Sequence, residues 1–309
     1  ALGFGLWIAT PGELGTGPDS ATVGENLDAW AVSSDRYEAD RFGLIAGAER
    51  RFTWVADGTA TPYGVIAIHG FSASRQETAP LARHVASALQ ANLFEVRLTG
   101  HGRTTDALVD VSAEDWQRDL AESLQAGTRI GERLILLTTS TGSTLVTAML
   151  DHRLMSDVDA IVMISPNFRP HDKNSAWLTR IGGRFSSLIA LGRERCWEAR
   201  NELQARFWST CYPTAALIEV MRLVDRAQGM LPRTISQRLL VFYSGEDQVV
   251  SPEAIRDSFA LFDAPNKKLI EIRGSGDPSQ HVLAGDIMSP QTTDDIAATI
   301  VDFIGRPVP

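Results

Sequence analysis

The sequence predicts an α/β fold: a mostly parallel central sheet with helices on both faces. Three observations predict it. Short runs of aliphatic and β-branched residues recur along the chain. The runs are continuous, as suits strands buried on both faces. Amphipathic segments of helical period lie between most of them, and strand–helix alternation builds parallel sheets.

The elements follow in order. Residues 1–42 are rich in Gly, Asp and Ser and weakly periodic, and read as an N-terminal arm with one short helix over 24–32. The strands are expected at "RFTWVA" (51–56), "GVIAIH" (64–69), "LFEVRL" (93–98), "RLILLT" (133–138), "AIVMIS" (160–165), "LLVFYS" (239–244) and "KLIEI" (268–272). Helices are expected at "QETAPLARHVASALQ", "AEDWQRDLAESLQAG", "STLVTAMLDHRL", "SPEAIRDSFALF" and "TTDDIAATIVDFI". Residues 166–235 break the rhythm. So long a structureless loop is improbable, and this stretch, which holds Trp177, Trp197 and Trp208, reads as a helical insertion over one end of the sheet. The core is then 43–165 plus 236–309.

Net charge is −9 over 309 residues, with no Lys/Arg cluster. This argues against a nucleic-acid partner and against docking on anionic lipid. Cys196 and Cys211 form no CxxC and no zinc-ligand spacing with histidine, so no metal or cofactor is expected. They are two free thiols or one local disulfide, and the latter needs an oxidising compartment. The opening "ALGFGLWIAT" is too short to cross a bilayer, which takes ~20 residues. It reads as the remnant of an export or anchor segment, or as an arm packed on the body. No other stretch is apolar enough to span a membrane. The oligomeric state is not legible.

The chemistry gathers where strands end. Ser140, in "LLTTSTGSTL", follows a buried strand and precedes a helix. A nucleophile on a sharp strand-to-helix elbow needs small neighbours two positions either side. Gly142 fits, and Thr138 departs from the usual glycine. The plain alternative is a serine capping a helix. A nucleophilic serine needs a base, and the base needs an orienting carboxylate. Of six histidines, His69, His101 and His281 can reach the carboxyl edge of the sheet; His84 lies in a helix, and His152 and His171 look exposed. After "LLVFYS" comes "SGEDQVVSP", with Asp247 close to the strand end and Glu246 as its competitor. Ser140, Asp247 and His281 then stand in the chain order of a hydrolase triad. "IHGFSAS" follows an early strand, and an oxyanion hole there would use the backbone N–H groups of Phe71 and Thr141, with Gly70 allowing close approach to the ligand.

These residues, "HGFSAS", "RLTGHGRT" (97–104), "TTSTGS", "SGEDQVVSP" and His281, resemble the α/β-hydrolase superfamily, in particular its bacterial carboxylesterases and monoglyceride lipases, over roughly residues 45–309. The resemblance implies Ser140 as nucleophile, His281 as base, Asp247 as orienter and Phe71 and Thr141 as oxyanion donors. It implies a structural role for His101 and a helical lid after the sixth strand. The expected reaction is hydrolysis of a neutral, moderately apolar carboxylic ester, a small molecule contacted by Gly70, Ser72, Trp177 and Trp208, with no cofactor. Thioesterase, amidase, C–C hydrolase, perhydrolase and acyltransferase chemistry share the triad. A hydrolase fold serving only to bind is the alternative of another class. The acidic charge and the apolar N-terminus fit an exported or anchored protein better than a cytoplasmic one.

Overall fold

The computed structural model describes residues 23–56, 58–172 and 192–305. Its centre is a seven-stranded sheet in the order β1 (Arg51–Thr53), β3 (Asn92–Glu95), β2 (Thr61–Ile68), β4 (Gly131–Thr139), β5 (Val158–Ile164), β9 (Arg238–Tyr243) and β11 (Lys267–Glu271). β1 runs antiparallel to β3, and every other pairing in this sheet is parallel; the short β8 (Arg233–Thr234) and β10 (Phe262–Asp263) pair with each other apart from it.

The continuous apolar runs have a direct structural reason: alternate residues serve two cores. In β4, Leu134 and Leu136 join one cluster, and Ile135 and Leu137 join the other. In β5, Ile161 and Met163 go to the first, and Ala160, Val162 and Ile164 to the second. Helices α3 (Ala113–Ile130), α4 (Thr141–Ala148), α6 (Thr214–Gly229) and α7 (Pro252–Leu261) cover the first face, and α2 (Leu81–Ala88) and α8 (Pro290–Gly305) cover the second. Ser112 opens α3 with a capping box, exchanging bonds with Asp115, which satisfies two otherwise orphaned donors. Among the described residues no helix is long and apolar enough to cross a membrane.

The structure departs from expectation at the N-terminus. The helix expected over 24–32 is a sixteen-residue helix, α1 (Leu27–Phe42), and it is built into the body. Leu27, Trp30 and Ala31 enter the first core cluster, with the Trp30 ring 5.9 Å from that of Phe94. Its second turn onward buries charge. Asp35 pairs with Arg97 at 2.9 Å, and Glu38 pairs with both Arg97 and Arg103. Buried acids interrupt the apolar stripe, so the helix has a weak sequence signal. Residues 1–22 of the expected arm lie outside the described residues.

The insertion also differs from an all-helical expectation, and it leaves after the fifth strand of this sheet in chain order. It carries a two-stranded ribbon, β6 (Glu194–Cys196) and β7 (Cys211–Pro213), around the short helix α5 (Glu202–Phe207). Cys196 and Cys211 stand directly opposite on the ribbon and form a disulfide. Helix α6 packs on α4 and gives Ala216, Val220 and Leu223 to the first core cluster, so this part of the insertion shares the core of the body.

Candidate active site

The strands align their carboxyl ends: Ile68 pairs with Thr138, and Thr139 with Ile164. Loops leaving these ends therefore meet above one edge of the sheet, the usual place for ligands in such folds. Ser140 stands between β4 and α4 with φ +49° and ψ −117°. That region costs a non-glycine residue about 1–3 kcal/mol and persists where the surroundings hold it. The Ser140 N–H donates to the Ile164 carbonyl at 2.8 Å, and its own carbonyl accepts from Ser143 N–H at 3.0 Å. Its hydroxyl makes no helix-capping bond.

Small neighbours matter here for a specific reason. A Cβ on Gly142 would sit 2.7 Å from the carbonyl oxygens of both Ile68 and His69. Thr138 is tolerated because its hydroxyl is used: it donates to the Val162 carbonyl at 2.9 Å and lies 2.8 Å from the Ser143 hydroxyl.

The Ser140 Oγ lies 3.0 Å from His281 Nε2, and His281 Nδ1 lies 2.8 Å from Asp247 Oδ2. Asp247 is 1% exposed, and its Oδ1 accepts from the N–H groups of Val249 and Val250 at 2.8 and 2.9 Å. Its neighbour Glu246 is exposed. Burial pulls the His281 pKa down, but the adjacent Asp247 carboxylate outweighs it, and the ring sits above its ordinary value. Asp277 fixes the backbone of the same loop: its Oδ2 accepts from His281 N–H at 3.0 Å and Val282 N–H at 2.9 Å. Burial raises the Asp277 carboxyl, yet the hydrogen bonds it accepts hold it below the usual value.

His69 and His101 do other work. His69 Nε2 accepts from Leu98 N–H at 3.2 Å, so its Nδ1 carries the proton and donates to the Gly70 carbonyl at 2.8 Å. Burial pushes its pKa down to about 4. His101 packs its ring 4.9 Å from that of His69, and burial holds its pKa well below the ordinary imidazole value. His152, which looks exposed in sequence, is buried, with Nδ1 accepting from Leu154 N–H at 3.3 Å.

A cavity of about 690 Å³ opens above Ser140. Phe71, Ser72, Thr141 and Trp208 line it. Among the described residues neither the Phe71 nor the Thr141 backbone N–H has a hydrogen-bond partner. The Ser72 carbonyl accepts from Ser209 N–H at 2.6 Å, tying the loop after β2 to the insertion. Gly70 packs closely against the elbow: a Cβ there would meet Ser140 Cβ at 3.1 Å. Trp177 lies outside the described residues.

Of the cavity residues that the sequence reading did not name, the most unusual is a buried acid. Glu77, 3% exposed, lines the cavity and accepts the Gly70 N–H on Oε2 at 2.6 Å. Burial pushes its carboxyl up to about 7, against the pull of the Gly70 N–H and His281. The only signal was its place in "HGFSASRQE", in the loop after β2; burial of a glutamate leaves no mark in sequence. Among the described residues no group of three or more His, Cys, Asp or Glu could hold a metal ion.

Residues 65–291 match the model of an alpha/beta hydrolase family. A thermostable monoacylglycerol lipase from Bacillus sp. (strain H-257) is 24% identical over 237 residues, covering 77% of this chain and 89% of that protein. Among solved structures, a chain from work on LipS and LipT, two metagenome-derived lipolytic enzymes, superposes with a TM-score of 0.67 at 23% identity, over 84% of this chain and 98% of its own. The monoacylglycerol lipase of Paleococcus ferrophilus superposes with a TM-score of 0.62 at 16% identity, over 82% of this chain and 97% of its own. At these identities the structural likenesses speak for the fold.

Proposed function

The chain belongs to the alpha/beta hydrolase family, and from that premise we propose that it hydrolyses carboxylic esters through an acyl-enzyme on Ser140. The observation that carries the reading is the continuous chain of contacts from Ser140 Oγ to His281 Nε2 at 3.0 Å and from His281 Nδ1 to Asp247 at 2.8 Å. His281 takes the hydroxyl proton as Ser140 attacks the ester carbonyl. Asp247 holds the ring and stabilises the imidazolium. The carbonyl oxygen, now negative, accepts from the N–H groups of Phe71 and Thr141, each worth about 3–4 kcal/mol in the transition state. His281 returns the proton to the leaving alcohol. Water, deprotonated by His281 in turn, then releases the acid.

The apolar part of the cavity wall supports a substrate class. Phe71, Trp208, Tyr212, Leu217, Val220 and Met221 present apolar surface around Ser140, which suits a moderately apolar acyl group. The monoacylglycerol lipase that resembles this chain supports an ester of that kind. The insertion, residues 166–235, acts in this reading as a cap over the acyl pocket.

The test is hydrolysis of p-nitrophenyl esters from acetate to palmitate, with wild type beside Ser140→Ala. Turnover that disappears in the variant is the expected result, and its chain-length optimum sizes the pocket. Turnover that survives in Ser140→Ala overturns the choice of nucleophile. Absence of wild-type turnover at every chain length overturns ester hydrolysis and directs the search to C–C bonds or acyl transfer.

A further inference from the structure

Glu77 is an unusual expense for the fold. A carboxyl group taken out of water is costly unless something specific holds it. Among the described residues no arginine or lysine pairs with it, and its one side-chain hydrogen bond is the 2.6 Å bond from Gly70 N–H. The Glu77 backbone is immobilised from two sides. Its N–H donates to the Ser74 carbonyl at 2.9 Å. Its carbonyl is overlain by Gly285, where a Cβ would come within 2.2 Å of the Glu77 oxygen. The carboxyl therefore has a fixed origin and acts on a fixed target.

That target is the residue before Phe71. The Gly70 N–H and Phe71 N–H belong to successive planar peptide units joined by the soft φ and ψ of Gly70, so the second is fixed only when both units are held. The Gly70 carbonyl is held from the opposite side by His69 Nδ1 at 2.8 Å. Gly70 is thus gripped at both its N–H and its carbonyl, the latter being part of the same peptide plane as the Phe71 N–H. Resting on the serine-hydrolase reading above, we propose that Glu77 is a positioning residue for the oxyanion loop: by accepting the Gly70 N–H it anchors the peptide entering Gly70, while His69 holds the carbonyl of the peptide leaving it, and the two together fix the Gly70 dihedrals and so the direction in which the Phe71 N–H is presented to the developing oxyanion. A donor aligned before the reaction costs no reorganisation when charge appears. The requirement is an acceptor oxygen at this point, and not a negative charge. A full charge beside the oxyanion would oppose it, and burial accordingly moves the Glu77 carboxyl up to about 7.

Three variants separate acceptor from charge. Glu77→Gln keeps an acceptor oxygen at the same reach. Glu77→Asp keeps the charge and shortens the reach. Glu77→Leu removes the acceptor and keeps bulk. The readouts are kcat and KM on the best p-nitrophenyl ester, and the inhibition constants of a trifluoromethyl ketone and of the product acid. A role in the oxyanion loop changes kcat and ketone binding together, leaving KM and product binding unchanged, because only the tetrahedral state uses the donor. Expected are a kcat within about threefold of wild type for Gln and a loss of about 30-fold or more for Asp and Leu, within the range for a misaligned oxyanion donor. Should Leu fail to fold, Asp alone carries the test. Wild-type kcat in Asp and Leu overturns the proposal, as does a loss in Gln equal to that in Asp. Ser140→Ala measured in parallel keeps the two readings apart: activity surviving there removes the serine-hydrolase reading, whereas an inactive Ser140→Ala beside unaffected Glu77 variants removes only the role of Glu77.

Discussion

The ring of Tyr212 meets the ring of Phe71 edge-on, with centroids 4.9 Å apart and planes at 80°. Tyr212 follows Cys211 on the ribbon, and the Cys196–Cys211 disulfide closes that ribbon directly beside it. The disulfide therefore braces a side chain that packs on the proposed oxyanion loop. Reduction, or the double change Cys196→Ser with Cys211→Ser, is expected to lower kcat/KM about tenfold, a loss typical of small misplacements near a reacting centre. Assays with and without dithiothreitol check this. The serine variant must not respond to reductant, and an unresponsive wild type removes the coupling.

Proton transfer to His281 requires its neutral form. Because Asp247 holds the ring above its ordinary value of 6.5, kcat/KM rises with pH through an inflection above 6.5. In Asp247→Asn burial acts on the ring without that carboxylate, so the inflection moves down, and kcat falls by about 10⁴-fold as the tautomer is no longer fixed. A pH–rate profile of both forms measures each effect. A wild-type inflection at or below 6.5 contradicts the coupling.

At the elbow, Thr138→Val keeps the shape and deletes the hydroxyl. The Val162 carbonyl and the Ser143 hydroxyl, both buried, then lose a partner. The expected cost is about 1–3 kcal/mol, read as a lower urea midpoint at unchanged slope. A midpoint equal to wild type shows that these groups find other partners.

Helix α1 is held by charge as well as by apolar contact. Arg97→Met removes one of the two arginines that pair with each of the buried carboxylates Asp35 and Glu38, at a cost of about 3 kcal/mol. The same cluster sets an acid limb. Burial raises the Glu38 carboxyl, but Arg97 and Arg103 together hold it below its ordinary value of 4.5. Its stabilisation is therefore present above 4.5 and lost as pH falls through the lower folded-state value. Urea midpoints between pH 7 and 3 should fall less steeply in Glu38→Gln than in wild type, and equal slopes would remove Glu38 from the account.

Much of the fold was legible because its sheet is buried on both faces. Each of the seven apolar runs supplies one strand, since a residue such as Ile135 and its neighbour Leu136 each meet a separate core. Helix α1 was read too short, because Asp35 and Glu38 replace apolar contacts with ion pairs to arginines far along the chain. The ribbon was missed because its pairing rests on a bond between Cys196 and Cys211, whose state no spacing reveals. Glu77 was missed because a glutamate's burial depends on what surrounds it.

What the sequence determined by itself is therefore local and periodic: the strands, most helices, and a serine between a strand and a helix with small neighbours. These follow from period, propensity and turn chemistry, which act over a few residues. The tertiary structure alone decided which groups meet. It brings His281 to within 3.0 Å of a serine 141 positions earlier, sets Asp247 rather than Glu246 beside it, and places the Glu77 carboxyl against Gly70. Those contacts depend on the register and parallel alignment of β2, β4, β5, β9 and β11, a property of the whole packed sheet and of no single segment.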